Sequence, residues 1–150
     1  MPSNFNWNQT QLEKKVERVA RRVMTEATLL VEREAKRTIQ QDPKTGRIYK
    51  KPGTNATWQA SAPGESPAVR FGPLAKSITH EVLVRRREIV GRVGTNITTD
   101  DGKPLGLWLE IGTPGGKIAQ RPYLRPSLYK NQSKIMKLFE INRLARMFDW

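Results

Sequence analysis

The stretch 107-LWLEIGTPGGKIAQRPYLRPS-127 is the least generic part of the chain, because an apolar run stops at a glycine and the chain then carries two Arg-Pro pairs. Apolar residues on one side of a helical wheel predict a short buried helix over residues 105–111 that ends at Gly112. Residues 113–119 are predicted to form a loop. Pro126 suits the first turn of a final helix, where the missing N–H of proline costs nothing.

Within this stretch, 112-GTPGGKI-118 resembles a phosphate-binding P-loop only superficially. The spacing between the first glycine and the Gly116-Lys117 pair is one residue short, and Ile118 stands where a hydroxyl would bind magnesium. We therefore predict no nucleotide site and no cofactor.

The chain of 150 residues is long enough for one domain with a single core. It contains no cysteine, and no apolar run approaches the roughly 18 residues needed to cross a bilayer. The first residues lack the basic and then apolar pattern of a secretory signal. These features predict a soluble protein that is made in the cytoplasm.

Charge is the strongest compositional signal, since 27 Lys and Arg residues against 14 Asp and Glu residues give a net charge of +13. Residues 112–147 alone contain eight basic residues and one acid. A surplus of this size indicates a polyanionic partner. The alternative interpretation is that charge only keeps exposed helix faces soluble.

A long amphipathic helix is predicted after a polar and flexible segment over residues 1–9. Thr10 and Glu13 have the spacing of a capping box. Apolar residues then recur every three or four positions as far as Ile39, and Pro43 ends the helix. At about 30 residues it exceeds the roughly 8 to 20 residues of most helices, so part of it is expected to pack on another subunit.

An extended loop is predicted over residues 43–67, which hold four prolines, three glycines and many small polar residues. A loop of this length is usually functional or mobile. Basic and aromatic residues interleave in it, so it suits either a nucleic-acid backbone or a protein partner, and the sequence favours neither. The candidate contact residues are Arg47, Tyr49, Lys50, Lys51 and Trp58.

Alternating apolar and polar residues predict strands over residues 77–84 and 89–94, joined into an antiparallel hairpin by the three arginines at 85–87. Residues 98–102 form the next turn, and a second long amphipathic helix is predicted over residues 126–148. The predicted fold is α+β, with a long N-terminal helix, a long loop, a small antiparallel sheet, a short helix and a long C-terminal helix.

Catalysis has little support. His80 is the only histidine and lies in a predicted strand, where packing or a hydrogen bond is its expected role. Asp100 and Asp101 precede a glycine and are expected to form a turn rather than a cation site. The sequence has no Cys/His cluster with metal spacing and no nucleophile motif. We predict that the protein is not an enzyme and binds no metal.

Four short stretches occur in a characteristic order: 72-GPLAKSI-78, 93-VGT-95 and 109-LEIGT-113, followed by 121-RPYLRP-126. In this order they resemble the tail-component family of long-tailed bacteriophages, whose members are also called neck, tail-completion or head-to-tail joining proteins. The resemblance covers roughly residues 16–129. The sequence departs from that family at Phe71 and in the length of the loop over residues 43–67.

The resemblance implies a structural subunit of a ring in the virion, at the head-to-tail junction, around the channel through which the genome leaves. It implies a homo-oligomer of six or twelve copies that contacts a head-closure or connector protein and a tail-tube or tail-terminator protein, with double-stranded DNA in the lumen. The basic composition agrees, because a basic lumen contacts phosphates without reading bases. The candidate channel or subunit-interface residues are Arg85, Arg86, Arg87, Lys117, Arg121 and Arg125.

Three further side chains are expected at contacts. Glu110 is expected to pair with Arg121 or Arg125 and so fix the loop; the alternative is that it simply ends a helix in water. Trp108 is expected in the core. Trp150 is a candidate anchor in a neighbouring subunit, because aromatic residues are enriched in interface cores.

The alternative function is a free-standing basic protein that binds nucleic acid without sequence preference, which would use the same charge of +13. The sequence has no helix-turn-helix, zinc-finger or RNA-stacking signature, and its two apolar helix faces suit subunit packing at least as well. A closed ring predicts a fixed stoichiometry, whereas the alternative predicts tight, salt-dependent binding by a monomer or dimer.

Overall fold

The computed structural model describes residues 8–69, 72–86, 88–140, 144 and 146. The strands form two separate antiparallel hairpins, β1 with β2 and β3 with β4. The predicted α+β class is confirmed. In chain order the elements are α1 (Gln9–Gln41), β1 (Ile48–Lys50), β2 (Thr57–Gln59), α2 (Pro73–Ser77), β3 (Thr79–Arg85), β4 (Glu88–Gly94), α3 (Leu105–Ile111) and α4 (Leu124–Leu138).

The long helix α1 is the element on which α2, β3, β4 and α4 pack. Its boundaries differ from the prediction at the start only. Asn8, not Thr10, is the N-cap, and its side chain accepts a hydrogen bond from the Gln11 N–H at 3.1 Å. Asn8 is itself a favoured capping residue, so the helix begins two positions earlier than a Thr10 cap would allow. The helix ends at Gln41, as Pro43 predicts.

Two clusters of buried side chains form the core, and both use α1. One lies under the middle of α1, where the start of its apolar face meets Leu138 of α4. The other lies under the end of α1 and joins it to α2, to the start of β3 and to the residue before α4. The first cluster is Val19, Val23, Ala27 and Leu138, and the second is Ala35, Ile39, Ala75, Ile78 and Tyr123.

The predicted central hairpin is confirmed, with β3 paired to β4 from Thr79 opposite Gly94 to Arg85 opposite Glu88. The segment before it forms the short helix α2, where the alternation had predicted strand from residue 77. The hairpin lies close against α1 at Gly91, because a Cβ atom there would be 2.5 Å from Cγ2 of Thr28. Only glycine allows this approach.

The predicted extended loop over residues 43–67 contains the hairpin of β1 and β2, which the sequence analysis did not anticipate. The base of this hairpin is held by Glu65, whose carboxylate accepts the N–H groups of Thr45 at 3.0 Å and Ala62 at 2.8 Å. The Ser66 hydroxyl also donates to the carbonyl of Thr38 at 2.9 Å. These bonds fix the segment to the end of α1.

The predicted helix over residues 105–111 is confirmed as α3, but its predicted burial is wrong. Leu107 and Ile111 are more than half exposed, and Trp108 is half-buried rather than in the core. The final helix α4 begins at Leu124, two residues before the prediction, so that Pro126 lies in its first turn as expected. Its continuous run ends at Leu138, and most of the predicted remainder as far as residue 148 lies outside the described residues, as do residues 1–7.

Candidate nucleic-acid and subunit interfaces

The loop between α3 and α4 is closed by its own hydrogen bonds. Gly112 has a positive φ of 82° that glycine adopts readily, and its N–H donates to the Trp108 carbonyl at 2.8 Å. Across the loop, the Thr113 N–H donates to the Ile118 carbonyl at 3.0 Å, and the Ile118 N–H donates to the Thr113 hydroxyl at 2.8 Å. Lys117 is exposed in this closed loop.

Glu110 caps α4, and its predicted pairing with Arg121 or Arg125 is wrong. One carboxylate oxygen accepts the N–H groups of Tyr123 at 2.8 Å and Leu124 at 2.9 Å, and the other accepts the N–H of Arg125 at 2.9 Å. The first N–H groups of a helix have no partner within the helix and attract negative charge. Glu110 therefore ties the end of α3 to the start of α4 through the backbone.

Tyr123 stands between these two helices and is 1% exposed. Its hydroxyl donates to the Gly106 carbonyl of α3 at 3.2 Å. Burial raises the pKa of the Tyr123 hydroxyl, and the nearby charge of Glu110 raises it further. The tyrosine in the Arg-Pro-Tyr sequence is thus a core residue that fixes the α3 to α4 junction.

Arg121 serves the fold rather than an open surface in this chain. Its guanidinium donates to the Ser61 carbonyl at 3.3 Å and to the Ala119 carbonyl at 3.0 Å. Ser61 follows β2, so Arg121 connects the α3 to α4 loop with the base of the first hairpin. Arg125 is exposed in the first turn of α4.

The arginines at the turn of the β3–β4 hairpin lie far from the loop between α3 and α4. Arg85 pairs with Glu88 at 2.9 Å, and Arg86 is exposed in the turn. Both line a groove of about 620 Å³ with Leu12 and Val16 of α1. Arg87 lies outside the described residues.

The predicted channel residues therefore do not form one patch on a single chain. The Arg85 and Arg86 end of the central hairpin lies beside Val16, whereas Arg121 lines a pocket with Ile39. The 23 residues of α1 between these positions correspond to about 35 Å at the rise of an α-helix.

The predicted loop contacts, in contrast, are brought together on the hairpin of β1 and β2. Tyr49 lies opposite Trp58 in the register, and their rings stack with centroids 4.9 Å apart and an interplanar angle of 16°. The Arg47 guanidinium lies 5.5 Å from the Tyr49 ring centroid, a cation–π distance. Lys50 and Lys51 are exposed at the turn. The stacked rings of Tyr49 and Trp58 therefore stabilise the β1–β2 hairpin, which carries exposed basic residues.

Several charged groups in the second part of α1, residues 23–41, are paired. Glu34 accepts from Arg37 at 2.8 Å and from Lys130 of α4 at 2.6 Å. The hydrogen bond from Arg37 is the main cause that lowers the pKa of Glu34 to about 2; burial opposes this shift, and Lys130 supports it. These contacts join α1 and α4 by charge as well as by apolar packing.

His80 has the hydrogen-bonding role that its strand position predicts. Its ring nitrogen Nδ1 pairs with the Glu32 carboxylate, which also accepts from Lys36. Burial alone would raise the pKa of Glu32, but the hydrogen bonds from Lys36 and His80 leave it below the usual value. The pair connects α1 to β3.

The residues expected to form a turn at 98–102 do so. The Gly102 N–H donates to the Thr99 carbonyl at 2.9 Å, and Asp101 pairs with Lys103 at 2.7 Å. Within the described part of the chain, no group of three or more His, Cys, Asp or Glu side chains could hold a metal ion. Among those same residues, no helix is long and apolar enough to span a membrane.

The largest feature missed by the sequence analysis is a stripe of cations on the first part of α1. We call it the α1 basic face. Its signal was present in the sequence, since spacings of three and four residues place these side chains together on a helix. All of them are exposed. The α1 basic face consists of Lys14, Lys15, Arg18, Arg21 and Arg22.

Apolar side chains are also left uncovered on α4. A groove of about 500 Å³ runs between α1, β4 and α4, and it is lined mainly by apolar atoms. Trp150, the predicted interface anchor, lies outside the described residues. The uncovered side chains of α4 and its end are Leu128, Tyr129, Met136 and Phe139, which are 38 to 64% exposed.

Comparison of the chain with protein-family models, with curated proteins and with solved structures finds no match.

Proposed function

We propose that the chain is a structural subunit of a ring at the head-to-tail junction of a tailed bacteriophage, located in the virion around the DNA exit channel. The observation that carries this proposal is uncovered apolar surface on α4 and beside the start of α1, which adjoin at Phe139, on a chain of net charge +13. The ordered family-like stretches described above support it independently.

The two apolar surfaces differ in position and composition. One is the exposed face of α4 with Tyr129 and Met136, each 64% exposed. The other is the groove in which Leu12 and Val16 of α1 face Ile89 of β4. Burying apolar area of this kind drives subunit association. Two unlike surfaces suit a head-to-tail contact, which generates a closed ring when the rotation between copies closes.

The charge supports a lumen occupied by DNA. Within the described residues most carboxylates already have partners in the same chain, including Glu32, Glu34, Glu65, Glu88 and Glu110. The excess cations are therefore available to bind other molecules. Double-stranded DNA in the channel would take part of it, and acidic surfaces of a connector protein and a tail-tube or tail-terminator protein would take the rest.

Particle mass tests the proposal. Light scattering on a sizing column, at salt concentrations of about 0.15 and 0.5 M to separate apolar from electrostatic association, should give a mass of about six or twelve chains, and electron micrographs should show rings. Met136→Asp should prevent assembly, because it places a charge in the apolar contact. Ser133→Asp, on an exposed neighbouring position of α4, is the matched control and should still assemble.

A monomer or dimer that binds random duplex DNA tightly at about 0.15 M salt would instead favour the alternative, a free-standing basic nucleic-acid-binding protein. A monomer at both salt concentrations that ignores DNA would contradict self-assembly and leave only assembly on a partner.

A further inference from the structure

The α1 basic face occupies one side of the helix. At 100° per residue, its five side chains cover about 120° of the circumference and about 12 Å along the axis. Val19 and Val23, which are buried, lie on the opposite side. The face thus points away from the core and is held by a helix that the core fixes in place.

Most cations of this face have no carboxylate partner within the described residues. Within the described part of the chain, Lys14, Lys15, Arg18 and Arg21 take part in no ion pair, and Arg22 reaches Glu26 only at 4.0 Å. The nearest acids along the helix, Glu13 and Glu17, line the groove with Arg85 and Arg86 instead. Among the residues that the structure describes, the face therefore presents five cations, and only Arg22 has a carboxylate, that of Glu26, within 4.0 Å.

We propose that the α1 basic face binds the phosphate backbone of double-stranded DNA without reading its bases. Duplex DNA carries one negative charge per about 1.7 Å of axis, so a 12 Å contact meets about seven phosphates, a number comparable to the five cations. Arginine guanidinium groups match phosphate oxygens in pairs, and the lysine ammonium groups add point charges.

The composition of the face favours DNA over a protein or a membrane. Along this side of the helix the face is flanked by the polar residues Gln11 and Thr25, and no apolar side chain lies among its cations. A protein interface has an apolar core that is depleted in charge, which this face lacks. A helix lying on a membrane inserts its apolar side into the lipid, but here Val19 and Val23 on that side are buried in the protein.

This inference deepens the proposed function, because it names a face that would line the DNA channel. The two are tested by different readouts. DNA binding is measured on the protein in any oligomeric state, whereas the ring is measured by mass.

The test is fluorescence anisotropy with a random duplex of about 30 bp between about 0.05 and 0.2 M salt. If all five cations meet phosphates, the logarithm of the binding constant falls with the logarithm of salt concentration with a slope of about −4.5. Over this range the affinity should fall about 500-fold. Lys15→Gln combined with Arg18→Gln should weaken binding by about tenfold or more at the lowest salt and reduce the slope by about 1.8.

Arg33→Gln combined with Lys134→Gln is the matched control. It removes the same two charge types from exposed helical positions that form no ion pair within the described residues. This control should keep the slope of the unchanged protein. Circular dichroism and thermal melting show that both variants fold.

Three results would overturn the proposal. The first is equal weakening by the two double variants, which would make net charge and not the face responsible. The second is the absence of DNA binding at about 0.05 M salt. The third is tighter binding of a polyglutamate peptide of matched charge through the same residues, which would assign the face to an acidic protein.

Discussion

The two parts of helix α1, residues 9–22 and residues 23–41, have the same amphipathic pattern in the sequence but different surroundings in the fold. In the second part, Ala35 and Ile39 are almost fully buried, and Lys36 and Arg37 each pair with a carboxylate. In the first part only Val19 is in the core, Val16 is 46% exposed, and most cations form no ion pair within the described residues. A periodic sequence predicts a helix, but only the chain packed around it determines which turns stabilise the fold and which remain available to a partner.

A matched pair of valine truncations tests this difference, with the largest expected effect. Val23→Ala removes two methyl groups from a fully buried site and should lower the free energy of unfolding by about 2.5 kcal/mol. Val16→Ala, at an exposed site, should lower it by less than about 0.7 kcal/mol. Urea denaturation measures both, and equal losses would show that the first part of α1 is also core.

The cap of α4 extends the comparison, because α4 contacts α1 mainly in its second part, through Lys130 with Glu34 and through Leu138 with Val23 and Ala27, and within the described core reaches the first part only at Val19. Glu110→Gln replaces a carboxylate that accepts three backbone N–H groups and should destabilise the protein by about 2 kcal/mol. Glu140→Gln, just beyond α4 and exposed, is the control and should change stability by less than about 0.5 kcal/mol. A third variant, Glu110→Ala, removes the side-chain acceptor altogether. If Glu110→Ala lowers the free energy of unfolding and Glu110→Gln does not, the negative charge of Glu110 is not needed for the cap.

Acid should lower the free energy of unfolding by protonating Glu34, which lies in the second part of α1. The pKa of Glu34 is about 2 in the folded protein against an ordinary value of 4.5. The folded state therefore binds fewer protons than the unfolded state, and the stabilisation is present above pH 4.5 and is lost as the pH falls toward 2. Between pH 7 and pH 3 the unchanged protein should lose about 2 kcal/mol more than Glu34→Gln. Urea denaturation at the two pH values measures the free energy of unfolding of both proteins. An equal loss in the unchanged protein and in Glu34→Gln would contradict the ion pair.

Much of this fold could be predicted because strong local signals agree with the tertiary structure. The glycine at 112 ended α3 where expected, and the alternating residues of β3 and β4 gave the central hairpin. The hairpin of β1 and β2 was missed because its strands have three residues each and carry no run of apolar alternation. Tertiary contacts across the segment hold them in place.

The site was less predictable, since partners distant in sequence decide the role of a charged side chain. Glu110 caps a backbone 13 to 15 residues away, and Arg121 bonds to Ser61 across 60 residues. No local pattern carries such information. The α1 basic face is different, because its helical spacing is visible in the sequence and only the burial of the opposite side distinguishes it from an ordinary solvated face.

Hydrogen exchange along α1 tests the central claim, that the second part of the helix builds the fold and the first part serves a partner. In the protein without DNA, amides of residues 27–41 should exchange only with global unfolding, and amides of residues 12–18 should exchange at least about tenfold faster. Adding the random duplex should slow exchange in residues 12–22 and leave residues 27–41 unchanged. Uniform protection along the whole helix, with no change on adding DNA, would contradict the account.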